Sequence, residues 1–141
     1  QINQKFNELI NVNLRAPYFL TKTFVDYLKG GLVVNIIDIY AEKPLRGFSA
    51  YSISKAGLAM MTRSLADELG PDIRVNGIAP GAILWPDAAV MDTKTIESIL
   101  AGIPAGRLGD PNDIANAALF LVDQADYVSG QIISVAGGSS V

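Results

Sequence analysis

The chain has 141 residues, of which 50% are hydrophobic and 18% charged, and its formal net charge is −3. This composition is that of a folded domain, and a weakly acidic chain without a basic run argues against binding to nucleic acid or to an anionic membrane. Histidine and cysteine are both absent. We therefore predict no metal ion, no disulfide, and no Ser-His-Asp or Cys-His catalysis.

The first residues and the apolar runs bear on location. The segment 1–5 does not resemble a secretory leader, and the apolar runs are far shorter than the roughly 20 residues that span a bilayer. We predict a cytoplasmic protein without a membrane segment. The chain lacks an initiating Met and opens inside a helical pattern, which predicts a piece of a longer protein.

The N-terminal part of the chain alternates between helical and strand patterns. Apolar residues at helical spacing predict a helix over residues 2–28, which Pro17 should kink or split and the following glycine pair should end. A run rich in β-branched residues predicts a strand over 32–38 that is buried on both faces. A polar loop is expected over 39–49.

The C-terminal part continues the alternation. The dipeptide Asp110-Pro111, with a second acid at Asp113, is typical of a helix start. The remaining elements are predicted in this order: a helix over 50–69, a strand over 73–79, a short helix over 93–100 within the irregular segment 82–109, a helix over 110–122, and a strand over 132–135.

The order of elements predicts an α/β fold with a doubly wound parallel sheet, Rossmann-like, because strands joined through helices form right-handed crossovers. Three strands are few for such a sheet. A strand that is apolar on both faces should not lie at an open edge. We therefore predict that other strands of the domain are missing from this sequence.

Tyr51 and Lys55 are candidates for acid–base chemistry, since a spacing of four residues places them on one face of a helix. A nearby ammonium group favours the phenolate and would lower the pKa of Tyr51, which makes a usable general acid. The same spacing recurs at Tyr18 and Lys22, where a packed tyrosine and a solvated lysine are the simpler interpretation. Asp38 closes the first strand, at the edge where open parallel sheets bind ligands, and either caps the loop or faces Tyr51.

Several segments together carry a family resemblance. They are Asn11-Val12-Asn13-Leu14, the Tyr-x-x-x-Lys motif at 51–55, and the segments 74–81, 109–115 and 129–131. In this order and at this spacing they resemble the C-terminal half of a short-chain dehydrogenase/reductase. The resemblance implies that residues 1–141 are the C-terminal part of one Rossmann-like reductase domain whose N-terminal dinucleotide-binding half is absent from the sequence.

The resemblance also implies a role for each motif residue. Tyr51 would donate a proton, Lys55 would bind the nicotinamide ribose and tune Tyr51, and Asn13 would hold a relay water. With Asp38 these form the expected catalytic set. NADPH is the implied cofactor, and its expected contacts are Tyr51, Lys55, Pro80, Gly81 and Ile83.

Position 38 departs from the family pattern, which has serine there. An ionised carboxylate only accepts hydrogen bonds, so Asp38 suits a substrate that presents N–H donors, unless burial keeps it protonated. Aspartate here, together with the turn at 80–86, resembles bacterial pteridine reductases. That resemblance implies a pterin or folate substrate held by Asp38 and Tyr51, with Leu84 and Trp85 as wall residues, although ordinary loop packing explains Trp85 equally well.

Two other interpretations stay open. The first is a carbonyl or 3-oxoacyl reductase, which would have the same fold and a different substrate. A non-catalytic scaffold would instead use the small residues Ala56, Gly57 and Ala59 to pack against a twin helix. The family resemblance implies a homotetramer or homodimer in any case.

The segment 84–109 is expected to be a substrate lid or a poorly packed loop.

Overall fold

The structure is a computed structural model, and it describes residues 2–83 and 92–139. Short 3-10 turns lie at Val25–Tyr27 and Ile39–Ala41. Within the described ranges no helix is long and apolar enough to cross a bilayer. The other elements are α1 (Ile2–Ile10), a π-helical segment (Asn11–Arg15), α2 (Ala16–Thr23), β1 (Leu32–Ile36), α3 (Ser49–Leu69), β2 (Arg74–Pro80), α4 (Thr93–Ala101), α5 (Pro111–Asp123) and β3 (Ile132–Val135).

The first helix was predicted to be kinked or split near Pro17, and a π-helical segment, Asn11–Arg15, divides it into α1 and α2. Proline lacks an N–H group, and its ring clashes with the carbonyl group four residues earlier in a regular α-helix. Pro17 stands in the first turn of α2, directly after the widened π-helical turn, where its missing donor costs little. The sequence predicted a kink here but not its π-helical geometry.

The three strands form one parallel sheet in the order β1-β2-β3, which confirms the predicted fold class. Residue Leu32 pairs with Arg74 at one end of β1, and Pro80 pairs with Val135 at the end of β2. Helices cover both faces, because α3 packs on one side and α5 on the other. The buried side chains on the α3 side include Leu58, Met61, Leu65, Ile73 and Val75, and those on the α5 side include Ile78, Leu121 and Ala125.

Strand β1 differs from its prediction of burial on both faces. Ile36 is 49% exposed, and Leu32, Val33 and Val34 are only half-buried. The reason is its place in the sheet: β1 is an edge strand and pairs with β2 alone among the described residues. The adjoining Ile37 packs in the core on the α3 side, and its N–H continues the ladder by donating to the oxygen of Ile78 at 2.7 Å.

The small residues of α3 that a scaffold would use against a twin helix, Ala56, Gly57 and Ala59, do not form one exposed surface. Residues 56 and 59 are three apart and lie on one side of the helix, but the three small residues have different surroundings. Ala56 is exposed and Ala59 is buried in the core. Gly57 faces Leu14 of the same chain, since a Cβ atom at this glycine would lie 2.8 Å from a Leu14 methyl group.

Helix α5 begins as predicted and is held at both ends. The Asp110 side chain accepts a hydrogen bond from the N–H of Asn112 at 2.8 Å, and Asp113 accepts one from the N–H of Asp110 at 2.8 Å. At the other end, Arg74 of β2 donates to the backbone oxygens of Leu121 and Ala125 at 3.0 Å. The guanidinium group thus satisfies one of the last carbonyls of the helix and one carbonyl just beyond it, which fixes the end of α5 against the sheet.

Candidate active site

Tyr51 and Lys55 lie in the first turns of α3, on one face, as their spacing predicts. The Lys55 Nζ atom is 5.8 Å from the centre of the Tyr51 ring. It donates a hydrogen bond to the backbone oxygen of Ile36 at 3.0 Å, so the end of β1 anchors the lysine. An ammonium group has three N–H donors, and within residues 2–83 and 92–139 this is the hydrogen bond that Lys55 makes, which leaves two donors for a ligand.

Asp38 combines the two roles that the sequence left open. One carboxylate oxygen accepts from the N–H of Tyr40 at 2.9 Å and so caps the turn at Ile39–Ala41. The other accepts from the hydroxyl of Tyr51 at 2.6 Å. The cap restrains the carboxylate, which therefore faces the tyrosine from a fixed direction. A short bond between a hydroxyl and a carboxylate is of the strong, charge-assisted type.

The electrostatics of Tyr51 run opposite to the expectation from its spacing to Lys55. Burial, followed by the hydrogen bond to Asp38 and the negative charge of that carboxylate, raises the pKa of Tyr51 well above its ordinary value. The carboxylate is in direct contact, whereas the Lys55 ammonium is bound to a backbone oxygen. Burial lowers the pKa of Lys55, against an opposing effect of Asp38. Tyr51 therefore keeps its proton at neutral pH.

Asn13 joins this cluster through a residue that the sequence analysis missed. Its Nδ2 atom donates to the hydroxyl of Ser54 at 2.9 Å, and that hydroxyl donates to the backbone oxygen of Tyr51 at 2.7 Å. Ser54 occupies one of the unspecified positions of the Tyr-x-x-x-Lys motif, one residue before Lys55. Its place inside that motif is a signal in the sequence, whereas its burial and its bond to Asn13 are visible only in the structure.

The predicted cofactor turn follows β2. Because β1 and β2 are parallel neighbours, their carboxyl ends lie at the same edge of the sheet, so Pro80 and Gly81 are on the edge of Asp38. The N–H of Gly81 donates to the oxygen of Val135 at 3.0 Å, and a Cβ at Gly81 would lie 2.8 Å from the Ala136 Cβ atom. Only glycine fits this close approach.

Ile83 lies in a cavity of about 290 Å³ between this turn, the segment before α5 and the end of β3. The polar side chains Arg107, Asp113 and Asn116 contribute to its walls. Arg107 is paired with Asp113 at 2.9 Å. The predicted substrate-wall residues Leu84 and Trp85 lie outside the described residues.

A second, open cleft of about 490 Å³ borders Tyr51 directly. Asn13 contributes to it from the π-helical segment, and Phe48 precedes α3 at its rim. Leu9 and Val12 of the first helical pattern give the cleft an apolar wall. A substrate that reaches Tyr51 can therefore place an apolar part against these side chains.

The second Tyr-x-x-x-Lys spacing, at Tyr18 and Lys22, has a surface environment. The Lys22 Nζ atom forms an ion pair with Glu68 at 3.0 Å, and both side chains are substantially exposed. Tyr18 packs edge-on against Phe19, with ring centres 5.4 Å apart. The simpler interpretation of this pair is confirmed, and spacing alone therefore did not identify a site.

Comparison with known proteins agrees with this architecture. A family model described as enoyl-(acyl carrier protein) reductase matches residues 2–140. The 3-oxoacyl-(acyl-carrier-protein) reductase FabG of Thermotoga maritima is 38% identical over 96% of this chain and 57% of its own length. The 7alpha-hydroxysteroid dehydrogenase of Escherichia coli K12 is 46% identical over 77% of this chain and 44% of its own length.

Solved structures show the same fold. A 7α-hydroxysteroid dehydrogenase in complex with NADH and 7-oxo glycochenodeoxycholic acid superposes with a TM-score of 0.87, is 38% identical, and is matched over 94% of this chain and 55% of its own. A protein from Agrobacterium tumefaciens with bound NADP superposes with a TM-score of 0.86 and is 38% identical. The match covers 95% of this chain and 58% of that protein. The chain spans about half the length of the curated relatives it matches. The fold, the motif cluster and the family match agree, and the chain belongs to the short-chain dehydrogenase/reductase family.

Proposed function

We propose that the protein is an NADPH-dependent reductase that uses Tyr51 as proton donor, with a pterin or dihydropterin as substrate. The hydrogen bond of 2.6 Å from the Tyr51 hydroxyl to the Asp38 carboxylate carries the proposal. It places a protonated phenol and an acceptor-only carboxylate side by side. A substrate with neighbouring N–H donors and a basic ring nitrogen matches both groups.

The residues present fit a nicotinamide cofactor. Lys55 retains two N–H donors beside Tyr51 after its bond to the oxygen of Ile36, and two adjacent ribose hydroxyls require that number. Gly81 brings backbone to the same edge of the sheet without a side chain in the way. NADPH, when bound, supplies the hydride. Pro80, Gly81 and Ile83 are proposed to contact its nicotinamide end.

The proton moves through the chain's own groups. The raised pKa of Tyr51 keeps the phenol protonated until a strongly basic nitrogen develops beside it. Asp38 binds the N–H groups of the substrate through the lone pairs that Tyr40 and Tyr51 leave free, and so orients the ring. Lys55 then stabilises the phenolate that remains. Asn13 is proposed to hold a water that returns a proton to this network.

A carbonyl substrate is the second candidate, and the names of the relatives support it better than they support a pterin. The Thermotoga maritima relative is a 3-oxoacyl reductase, and the Escherichia coli relative is a hydroxysteroid dehydrogenase. For this chemistry Asp38 must be protonated, because an ionised carboxylate repels the negative charge that develops on a carbonyl oxygen. The cleft lined by Leu9 and Val12 would accept an apolar acyl or steroid group.

The experiment is a parallel assay of NADPH oxidation, followed by absorbance, with a dihydropterin and with a 3-oxoester. Faster turnover of the dihydropterin supports the first candidate, and turnover of the ketoester alone replaces it with the second. The Tyr51→Phe variant is the control for enzymatic activity. If it retains full turnover with the active substrate, Tyr51 is not the proton donor, and a scaffold role becomes the better explanation.

The assembly expected from the family is a homotetramer or homodimer, and exposed apolar side chains support it as part of this proposal. They lie on the outer faces of α2 and α5, where a second copy would bury them. Light scattering of the purified protein measures the state directly. The exposed side chains include Phe19, Leu20, Leu119, Phe120 and Val122.

A further inference from the structure

Ser54 lies between the two predicted catalytic residues Asn13 and Tyr51 and has no assigned role. It is completely buried, donates to the backbone oxygen of Tyr51 at 2.7 Å, and accepts from the Nδ2 atom of Asn13 at 2.9 Å. A serine hydroxyl has one proton to donate, and Ser54 donates it to the backbone oxygen of Tyr51. Toward Asn13 the Ser54 oxygen can therefore only accept a hydrogen bond. The amide of Asn13 is therefore held in one orientation, with Nδ2 toward Ser54.

The π-helical segment Asn11–Arg15 has a second anchor on the same helix. Leu14 packs against Gly57, where a Cβ atom would lie 2.8 Å from its methyl group. Ser54 and Gly57 are three residues apart, so they lie on neighbouring turns of one face of α3. A π-helical turn is less stable than a regular one and persists where its surroundings hold it. Both anchors lie within two turns of Tyr51.

We propose that Ser54 is a positioning residue that couples Asn13 to the turn of α3 carrying Tyr51. This inference rests on the proposed function, in which Asn13 and Tyr51 act together. Without the hydroxyl, the Asn13 amide loses the partner that fixes its orientation. Asn13 then samples other rotamers, and the relay that it forms with Tyr51 is assembled only part of the time.

The same helix provides a matched control two turns further on. Thr62 is also completely buried, donates to the oxygen of Leu58 at 2.9 Å, and accepts from the Nδ2 atom of Asn35 at 2.9 Å. This is the arrangement of Ser54 repeated away from Tyr51. Thr62→Val removes the hydroxyl and keeps the shape of the side chain. It therefore measures the structural cost of losing a buried hydroxyl–amide bond.

The test compares Ser54→Ala with Thr62→Val in the complete protein, with whichever substrate turns over. Thermal midpoints are measured without cofactor, and kcat and KM with it. Both variants are expected to melt at lower temperature. Ser54→Ala should lower kcat about tenfold, the equivalent of one buried hydrogen bond, and leave KM within roughly twofold. Thr62→Val should leave kcat unchanged.

A second variant and a double mutant distinguish a positioning role of Ser54 from a purely structural one. Ser54→Cys retains a weak donor and acceptor and is expected to recover much of kcat. Asn13→Ala should cost less in the Ser54→Ala background than in the native protein, because the two residues act as a unit. Equal melting losses with kcat unchanged in Ser54→Ala would overturn the proposal. If Tyr51→Phe is fully active, the proposed function itself is wrong. That outcome is distinguishable from failure of the Ser54 proposal, because it does not depend on the Ser54 variants.

Discussion

Replacing Asp38 by serine separates the two functions that its carboxylate combines. One oxygen caps the turn at Ile39–Ala41 through the N–H of Tyr40, and the other accepts from the hydroxyl of Tyr51. Serine and aspartate are about equally good at an N-cap, so Asp38→Ser preserves the first contact. It removes the negative charge that faces Tyr51. The variant therefore alters the candidate site while the turn remains intact.

The expected size of the effect follows from the bond that is lost. A hydrogen bond to a charged group contributes about 1.5–3 kcal/mol, and the 2.6 Å separation of Tyr51 and Asp38 places it among the strong ones. If the substrate's N–H donors depend on the same carboxylate, kcat/KM for a dihydropterin should fall roughly 10- to 150-fold. Turnover of a 3-oxoester should be retained or rise, because a serine hydroxyl can donate to a carbonyl oxygen.

The assay measures kcat/KM for both substrates in the native protein, Asp38→Ser and Asp38→Ala, with unfolding midpoints for all three. The alanine variant loses the cap as well and should be about 1 kcal/mol less stable than the serine variant. Unchanged dihydropterin turnover in Asp38→Ser would refute the role given to the carboxylate. A parallel loss with both substrates, accompanied by a lower midpoint, would indicate a structural role only.

Three further predictions concern the proton donor, its ionisation and the cofactor turn. Tyr51→Phe should lower kcat by about 10²- to 10⁴-fold, whereas Tyr18→Phe should leave it unchanged; equal effects would refute the assignment. Because the pKa of Tyr51 is raised in the fold, its contribution to stability is present below about pH 10 and lost as pH rises further. Urea unfolding at alkaline pH should show a smaller loss in Tyr51→Phe, and an identical loss would count against burial of this phenol. Gly81→Ala should cost about 1–3 kcal/mol, since its Cβ would meet the Ala136 backbone at 2.9 Å. Gly102→Ala, whose nearest contact is 3.4 Å, is the control in urea unfolding, and equal costs would contradict the steric argument.

Local pattern accounts for most of the fold. The end signals at Pro17 and at Asp110-Pro111 predicted a helix break and a helix start that the structure confirms. The limits of β3 at 132–135 also agree. These features depend on backbone chemistry within a few residues. The exposure of β1 could not be predicted in this way, because it depends on which strands are its neighbours.

The candidate site was predicted less completely. Asp38, Tyr51 and Lys55 stand out in the sequence, because Asp38 closes an apolar strand and the spacing of Tyr51 and Lys55 places them on one helix face. The direction of the Tyr51 pKa was wrong, because the distance between Tyr51 and Asp38 is a contact between two elements. Ser54 was missed for the same reason, since its partner Asn13 is 41 residues away along the chain.

By itself, the sequence determined which segments are helices and strands, that the sheet is parallel, and which phenol and ammonium share a helix face. Those properties follow from period, caps and crossover geometry, all of which are local. Only the tertiary structure decided that Asp38 accepts a hydrogen bond from the Tyr51 hydroxyl, that Ser54 holds Asn13, and that Lys22 forms an ordinary surface ion pair. Hydrogen bonds require placement to within a few tenths of an ångström, and that placement exists only after the helices have packed on the sheet.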